Sequence, residues 1–230
     1  MMNKLSYLID ENTMCISDTH FGHSKVTSFE PVRLDIARDA GYSNWEDLAI
    51  DRINAGTGED KTLLVLGDFA FRAIEDYSNR LIAKNKVIIL GNHDRKAQLY
   101  RNYGWHVFDG IHYHISDTLG AYIHTDNDVS LLSGLIKRMR GMNVLFSHYP
   151  VFDNCTHDRK NERIAARVQK FEALYSELRC GLNIHGHVHS RTTSSACCAN
   201  VSCEVTNFSP MSVSDIIDVT LEQQSKGLLL

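Results

Sequence analysis

Residues 87–94 read VIILGNHD, so that four apolar residues run directly into a glycine and three polar residues. Residues 62–68, TLLVLGD, have the same arrangement, and residues 72–84 between the two runs carry apolar side chains at helical spacing. Short, wholly apolar strands suit a sheet that is covered on both faces, and their alternation with helical segments indicates an α/β fold.

The same arrangement recurs towards both ends of the chain. A run over residues 14–17 leads into Asp18, a run over residues 144–146 leads into Ser147 and His148, and a run over residues 181–184 precedes GHVH at residues 186–189. In open α/β sheets, ligands bind beyond the carboxyl ends of the strands. The sequence therefore predicts that several strands deliver polar side chains to one edge of a sheet.

Apolar periodicity predicts further elements. Residues 162–178 have the clearest helical stripe. Residues 111–115 alternate with period two, which predicts a half-exposed strand with His112 and His114 on its water-facing side. Residues 199–208 are predicted to form another strand.

Length and composition are those of an ordinary globular protein. The chain has 230 residues, of which 43% are hydrophobic and 23% charged, and this excludes an intrinsically disordered chain. We expect a single domain over residues 1–230. With 24 basic and 28 acidic side chains the net charge is −4, so the composition gives no strong signal of nucleic-acid binding.

The sequence also bears on the compartment. Apolar runs such as residues 63–66 and 87–90 are far shorter than the ~20 residues of a membrane span, and the first twelve residues lack the apolar stretch of a signal peptide. Six cysteines form no CxxC pair, which favours reduced thiols and a cytoplasmic protein. Cys197, Cys198 and Cys203 lie close together, but such a group without a second pair is a poor zinc signature.

The polar residues at the strand ends have the chemistry of metal ligands. Imidazole and carboxylate groups suit divalent manganese, iron, nickel and zinc, and one tetrahedral ion needs about four ligands. The seven candidate ligands at the strand ends are too many for one ion and about the right number for two. Asp68 is the natural carboxylate to bridge the two ions. The candidates are Asp18, His20, Asp68, Asn92, His148, His187 and His189.

Five motifs carry a family resemblance. They are DTH at residues 18–20, GD at 67–68, GNHD at 91–94, SH at 147–148 and GHVH at 186–189. In this order they resemble the motifs of the calcineurin-like metallophosphoesterase superfamily, in its small single-domain branch. The resemblance implies two facing β-sheets flanked by helices, in a four-layer α/β/β/α sandwich.

The resemblance also implies a distribution of roles. One divalent ion would be held by Asp18, His20, Asp68 and His189, and the other by Asp68, Asn92, His148 and His187. His93 would bind a phosphate oxygen or protonate the leaving group, and Asp94 would hydrogen-bond His93. The implied reaction is in-line attack of metal-bound hydroxide on phosphorus.

Three further residues are candidate substrate contacts. His23 either lines the substrate pocket near the first ion or lies in a polar loop. Arg72 and Arg159 either meet a substrate phosphate or belong to solvated charged turns.

The leading functional hypothesis is a phosphoesterase that acts on a small, nucleotide-like phosphodiester or phosphomonoester. The chain has GDFAFR at residues 67–72 and Leu90 before GNHD, where protein Ser/Thr phosphatases of the superfamily carry a Val-Asp-Arg-Gly type string and an arginine. This difference argues against a protein phosphatase. Two alternatives are a metal-containing scaffold that binds partners with little turnover and a histidine-rich regulatory protein without a metal pair.

Overall fold

The computed structural model describes residues 4–94, 97–115, 118–122, 132–153, 160–193 and 195–225, and for residues 118–122 it describes the backbone. The strands form two sheets, one of five and one of six strands. In chain order they are β1 (Met14–Ile16), β2 (Thr62–Val65), β3 (Asn85–Ile89), β4 (Trp105–Phe108), β5 (Ile111–Ile115), β6 (Thr118–Tyr122), β7 (Gly134–Met139), β8 (Met142–Ser147), β9 (Cys180–His185), β10 (Cys198–Asn200) and β11 (Met211–Ser212).

The first sheet has the strand order β11–β1–β2–β3–β4. Strands β1 to β4 are parallel, and β11 is antiparallel to β1. The second sheet has the order β10–β9–β8–β7–β5–β6 and is mixed, with β8 parallel to β9 and antiparallel to β7. In both sheets, parallel neighbours therefore place their carboxyl ends at the same edge.

Helices lie outside the two sheets and at their ends. A 3₁₀ helix spans Lys4–Leu8, and the α-helices are α1 (Val26–Phe29), α2 (Val32–Asp39), α3 (Trp45–Thr57), α4 (Ile74–Arg80), α5 (Ala97–Asn102), α6 (Glu162–Glu177) and α7 (Val213–Ser225). The side chain of Asn44 caps α3 by accepting a hydrogen bond from the Glu46 amide, and Asn161 caps α6 in the same way.

Three apolar clusters define four layers. Leu64 and Ile89 of the first sheet pack with Phe146 and Ile184 of the second, so the sheets face each other. Helices α2 and α3 cover the outer face of the first sheet, and α6 covers the outer face of the second through Phe171. The expected α/β/β/α sandwich is confirmed.

Two predictions about local structure are wrong. Residues 199–208 do not form one strand, because β10 ends at Asn200 and the chain then turns, with the Phe208 amide donating to the Cys203 carbonyl. His112 does not face water, since it is only 7% exposed. The chain turns from β4 into β5 beside it, which places the Phe108 ring centroid 5.1 Å from the imidazole centroid.

In the residue ranges given above, every helix is too short or too polar to cross a lipid bilayer.

Candidate metal centre

Strand ends from both sheets meet at one rim of the sandwich. Strand β1 leads to Asp18, β2 leads to Asp68, and β8 leads to His148. Backbone hydrogen bonds hold these loops together: the Asp18 amide donates to Gly67, the His20 amide to Asp68, and the Gly186 amide to His148. Parallel pairing aligns the strand ends within each sheet, and the face-to-face packing of the sheets brings the two sets together. The predicted convergence therefore occurs, but at a rim shared by two sheets and not at the edge of one.

Asp68 lies in the middle of a group of imidazoles. Its Oδ2 atom is 3.6 Å from His20 Nε2, 3.6 Å from His148 Nε2 and 3.9 Å from His93 Nε2. The carboxylate is buried, and its Oδ1 atom accepts a hydrogen bond from the His93 backbone amide at 2.9 Å. A carboxylate with several imidazole nitrogens around one oxygen is suited to share a cation with them.

One group that could hold a metal ion consists of Asp18, His20 and His189, whose donor atoms lie within 4.8 Å of one another. Asp18 Oδ1 is 3.8 Å from His20 Nε2 and 3.9 Å from His189 Nε2. Within the described part of the chain, Asp18 Oδ1 and His20 Nε2 are buried without a hydrogen-bond partner. Buried polar atoms normally have a hydrogen-bond partner. A bound cation would supply the missing partner of both atoms.

A second group consists of Asp18, Asp68 and His148. His148 Nδ1 lies 2.9 Å from the Leu66 carbonyl, so Nδ1 carries the proton of the neutral ring and Nε2 offers a lone pair. Asn92 Oδ1 is 2.9 Å from that Nε2 atom, and His187 Nδ1 is 3.2 Å from it. Asn92 Oδ1, His148 Nε2 and His187 Nδ1 can each offer a lone pair, so their close approach also suits binding to one cation.

The shifted pKa values of two buried candidate ligands, Asp68 and His20, also fit a metal site. Burial, together with the nearby charges of Asp94 and Asp18, raises the pKa of Asp68 well above its ordinary value. Burial lowers the pKa of His20 well below its ordinary value, so this imidazole is neutral and able to donate a lone pair. A bound cation would favour the ionised carboxylate and the neutral imidazoles, which are the forms that bind metal.

Backbone strain is concentrated in the same loops. Five of the seven candidate ligands have positive φ angles: Asp18 (58°), His20 (50°), Asp68 (54°), His187 (70°) and His189 (53°). Left-handed backbone at residues other than glycine costs about 1–3 kcal/mol each and is found preferentially at functional sites.

Close packing explains the glycine of the GHVH motif. A β-carbon on Gly186 would lie 1.9 Å from Ser17 Oγ and 2.3 Å from Asp18 Oδ2. The absence of a side chain lets β9 end directly against the Asp18 loop. The His187 amide can then donate to Asp18 Oδ2 at 2.8 Å.

The two candidate catalytic residues occupy different environments. His93 has a half-exposed side chain at the mouth of the site, beside Asp68. Asp94 is buried, and its Oδ2 atom accepts hydrogen bonds from the backbone amides of Asp68 (2.6 Å) and Gly91 (2.9 Å), while Tyr100 donates to Oδ1. These bonds join the loops after β2 and β3, and the expected Asp94–His93 hydrogen bond stays a prediction.

A carboxylate that no sequence motif marks orients His189. Glu204 Oε1 lies 2.9 Å from His189 Nδ1, which directs Nε2 towards Asp18. Arg33 is fully buried, donates from Nε to Glu204 at 2.8 Å, and donates to the carbonyls of Asp18 (2.6 Å) and Thr19 (2.8 Å). No sequence motif marks Glu204 or Arg33, and they lie 171 positions apart.

The three candidate substrate contacts have different positions. His23 is partly buried beside the site, with its ring centroid 5.8 Å from that of His20. Arg72 is exposed, and its backbone packs close to Gly22 in the loop that carries His20. Arg159 lies outside the described residues. The functional roles of all three stay predictions.

Comparison with known proteins relates this site to a family. A structure of a protein of unknown function from Aquifex aeolicus is similar, with a TM-score of 0.66 and 24% identity over 90% of this chain and 98% of that one. A structure of an archaeal phosphodiesterase gives a TM-score of 0.36 and 14% identity over 83% of this chain and 81% of that one. No curated protein matches the chain significantly. Residues 12–191 match the model of the calcineurin-like phosphoesterases, a span that includes all five motifs. The chain therefore belongs to the calcineurin-like phosphoesterase family.

Proposed function

We propose that this protein is an enzyme that hydrolyses a small phosphate ester, a diester or a monoester, with the help of two divalent metal ions. The observation that carries the proposal is the position of Asp68, whose Oδ2 atom lies 3.6–3.9 Å from the imidazole nitrogens of His20, His93 and His148. A buried carboxylate between two groups of nitrogen and oxygen ligand atoms suits the role of a bridge between two cations.

Each ion would have its own ligands beside the shared Asp68. The first set adds Asp18, His20 and His189, and the second adds Asn92, His148 and His187. Asp18 Oδ1 and His20 Nε2, which are buried without a hydrogen-bond partner, support the first set. The crowding of acceptors around His148 Nε2 supports the second. The division of the ligands between the two ions is the one that the resemblance of the five motifs to the family implies.

When bound, the two ions would supply charge neutralisation for the phosphoryl oxygens and lower the pKa of coordinated water. The chain itself supplies the acid. His93 lies at the mouth of the site with a half-exposed ring, and its backbone is held in place by the hydrogen bond to Asp68 Oδ1. From there its Nε2–H would bind a phosphoryl oxygen or protonate the leaving oxygen.

The role of Asp94 is to position both loops. Its carboxylate accepts from the backbone amides of Asp68 and Gly91, and therefore fixes the carboxylate proposed as a bridge relative to the GNHD loop. Tyr100 donates to the same carboxylate from helix α5. Buried networks of this kind hold ligands in a fixed geometry.

The test combines metal analysis with turnover. The purified protein is loaded with manganese or zinc, metal per chain is measured by mass spectrometry, and hydrolysis of bis(p-nitrophenyl) phosphate and p-nitrophenyl phosphate is followed. We expect about two ions per chain and turnover of at least one ester. Asp68→Asn and His148→Ala should each lose metal and activity.

His106→Ala is the matched control, because His106 is an exposed histidine on β4 away from the strand ends that carry the candidate ligands. It should keep both metal and activity. Two bound ions without turnover of either ester would favour a metal-containing scaffold instead. A chain that binds no stoichiometric metal would contradict both functions.

A further inference from the structure

Two phenyl rings beside the candidate metal centre keep part of their surface exposed to solvent. Phe71 is 39% exposed and Phe29 is 65% exposed, whereas Phe69, two residues before Phe71 in the same loop, is fully buried. An apolar ring left in water gains little from folding. Core packing therefore accounts for Phe69 but not for the positions of Phe29 and Phe71.

The exposed rings are part of a continuous row. The Phe71 ring centroid lies 4.1 Å from that of His23 and 4.6 Å from that of His93. The Phe29 centroid lies 5.7 Å from that of His23. We call Phe29, His23, Phe71 and His93 the aromatic shelf.

The aromatic shelf adjoins the proposed reaction centre. Phe71 is 5.4 Å, centroid to centroid, from His20, whose Nε2 atom is 3.6 Å from Asp68 Oδ2. A phosphate ester whose phosphoryl group bound at the proposed metal centre beside His93 would have a substituent within reach of the shelf. The shelf therefore has the right place to contact the organic part of a substrate.

The backbone holds the shelf in position. The Phe71 amide donates to the Phe21 carbonyl at 2.8 Å, and Ala70 pairs with Phe21 in an isolated parallel bridge. Helix α1, which carries Phe29, is anchored by the buried side chain of Val26. Because the backbone that carries the rings is already held in place, a ligand that stacks on them requires little ordering of the main chain.

The aromatic rings of the shelf favour a ligand with a planar aromatic group. Aromatic rings attract other aromatic rings in offset-stacked or edge-to-face contacts, and base stacking on phenyl rings tolerates different bases. An alkyl substituent would contact the same surface but would lack the ring–ring interaction. This difference would let the shelf discriminate aromatic from alkyl substituents.

We propose that Phe71 and Phe29 form a subsite for a planar aromatic group of the phosphate ester, either an aryl ring or a nucleobase. This inference rests on the proposed function, because it assumes that the phosphoryl group binds beside Asp68. It predicts that esters with an aromatic substituent bind more tightly than alkyl esters of the same charge.

Equilibrium binding of phosphonates tests the subsite without turnover, because their C–P bond is not hydrolysed by an esterase. Isothermal titration of the manganese-loaded protein would compare methylphosphonate, phenylphosphonate and the phosphonate analogue of AMP. We expect at least one aromatic ligand to bind about tenfold more tightly than methylphosphonate. The phenyl and nucleoside ligands distinguish the two sources of the aromatic group.

Phe71→Leu and Phe29→Leu keep an apolar side chain but remove the ring. Each should reduce the preference for the aromatic ligand by about threefold or more while changing methylphosphonate binding little. Tyr7→Leu is the matched control, since Tyr7 is 58% exposed and contacts His114 instead of the shelf. It should keep the full preference.

The possible failures are distinguishable. Equal affinity for methyl and aromatic phosphonates would overturn the subsite and leave the proposed function standing. An equal loss of affinity for all three ligands in Phe71→Leu would also overturn it, because the ring would then be structural. If none of the three phosphonates binds to metal-loaded protein, the subsite and the phosphoryl site are both wrong.

Discussion

A β-carbon on residue 91 would lie 2.2 Å from Oδ1 of Asp68, so Gly91 and Asp68 pack against each other with no room for a side chain between them. The same loops are joined by Asp94, which accepts hydrogen bonds from both backbone amides. The glycine of the GNHD motif therefore determines where the carboxylate of the GD motif can lie. Two motifs that are separate in sequence form one structural unit.

Gly91→Ala should therefore damage the site although it removes no candidate ligand. The new methyl group would displace the Asp68 side chain, and misplacing a reacting or binding group by about 1 Å can lower activity by about 100-fold. We expect reduced manganese content and at least that loss of turnover, measured by mass spectrometry and ester hydrolysis.

Gly181→Ala is the control for this substitution. Its β-carbon would meet Met142 at 3.5 Å, an ordinary van der Waals distance, on strand β9 away from the strand ends that carry the candidate ligands. Metal content and turnover should be retained. Normal metal binding in Gly91→Ala would show that the Asp68 loop adapts and that the close approach is not required.

Arg33 should be a major determinant of stability. Its buried guanidinium pairs with Glu204, donates to two backbone carbonyls, and lies 4.8 Å from the Trp45 ring centroid. Arg33→Met removes one of the two cations beside the buried Glu204 carboxylate, the other being His189, and leaves the carbonyls of Asp18 and Thr19 without their donor. Removing one partner of a buried ion pair costs about 3–5 kcal/mol, which we expect as the loss in unfolding free energy measured with urea.

Arg38→Met on the same helix α2 is the matched control. Arg38 has a 71% exposed side chain and pairs with Asp35 on the surface. Its replacement should change the unfolding free energy by less than about 1 kcal/mol. Similar losses for the two variants would mean that the buried network contributes no more than a surface ion pair.

Metal binding should release a proton from His189. Burial disfavours the charged ring, but the hydrogen bond to Glu204 and the charge of Asp18 outweigh it and raise the pKa of His189 to about 9 in the metal-free protein. A metal binds the neutral ring, so each pH unit below about 9 should weaken affinity by up to about tenfold through this one group. Titration calorimetry at pH 7.5 in buffers of different ionisation enthalpy measures the proton release.

Glu204→Gln provides the comparison. Without the carboxylate the pKa of His189 should fall, so that less proton is released at pH 7.5 and the dependence of affinity on pH becomes flatter. At pH 9 and above, metal affinity should still be about 10- to 100-fold weaker, because a neutral amide supports the imidazole as a ligand less well than a carboxylate does. Unchanged proton release would show that Glu204 does not control the protonation of His189.

Short-range patterns predicted the α/β class and the polar residues at the strand ends, whereas the two-sheet sandwich was implied by the family resemblance of the five motifs. An apolar run followed by a polar residue identifies a strand and its end, as at Leu66 to Asp68 and Leu90 to Asn92. Parallel pairing then brings those ends together without further information.

Other features of the site depend on contacts that no local pattern records. Glu204 lies in a segment whose alternating residues predict a strand, yet the chain turns there and directs the carboxylate inward to Arg33 and His189. The exposed position of Phe71 is likewise set by pairing with the Phe21 loop. Such arrangements are tertiary and cannot be inferred from periodicity alone.

His93→Ala should separate catalysis from metal binding. His93 is at the mouth of the site with a half-exposed ring 3.9 Å from Asp68 Oδ2, so its loss leaves every candidate metal ligand in place. We expect metal content near that of the wild type and a fall in turnover of about 10²–10⁴, the usual contribution of one acid–base group.

The loss should be larger for esters with a poor leaving group, such as a methyl or ribosyl ester, than for p-nitrophenyl esters, because a good leaving group needs no proton. Loss of metal from this variant, or an equal effect on all leaving groups, would contradict the role of His93 as the acid.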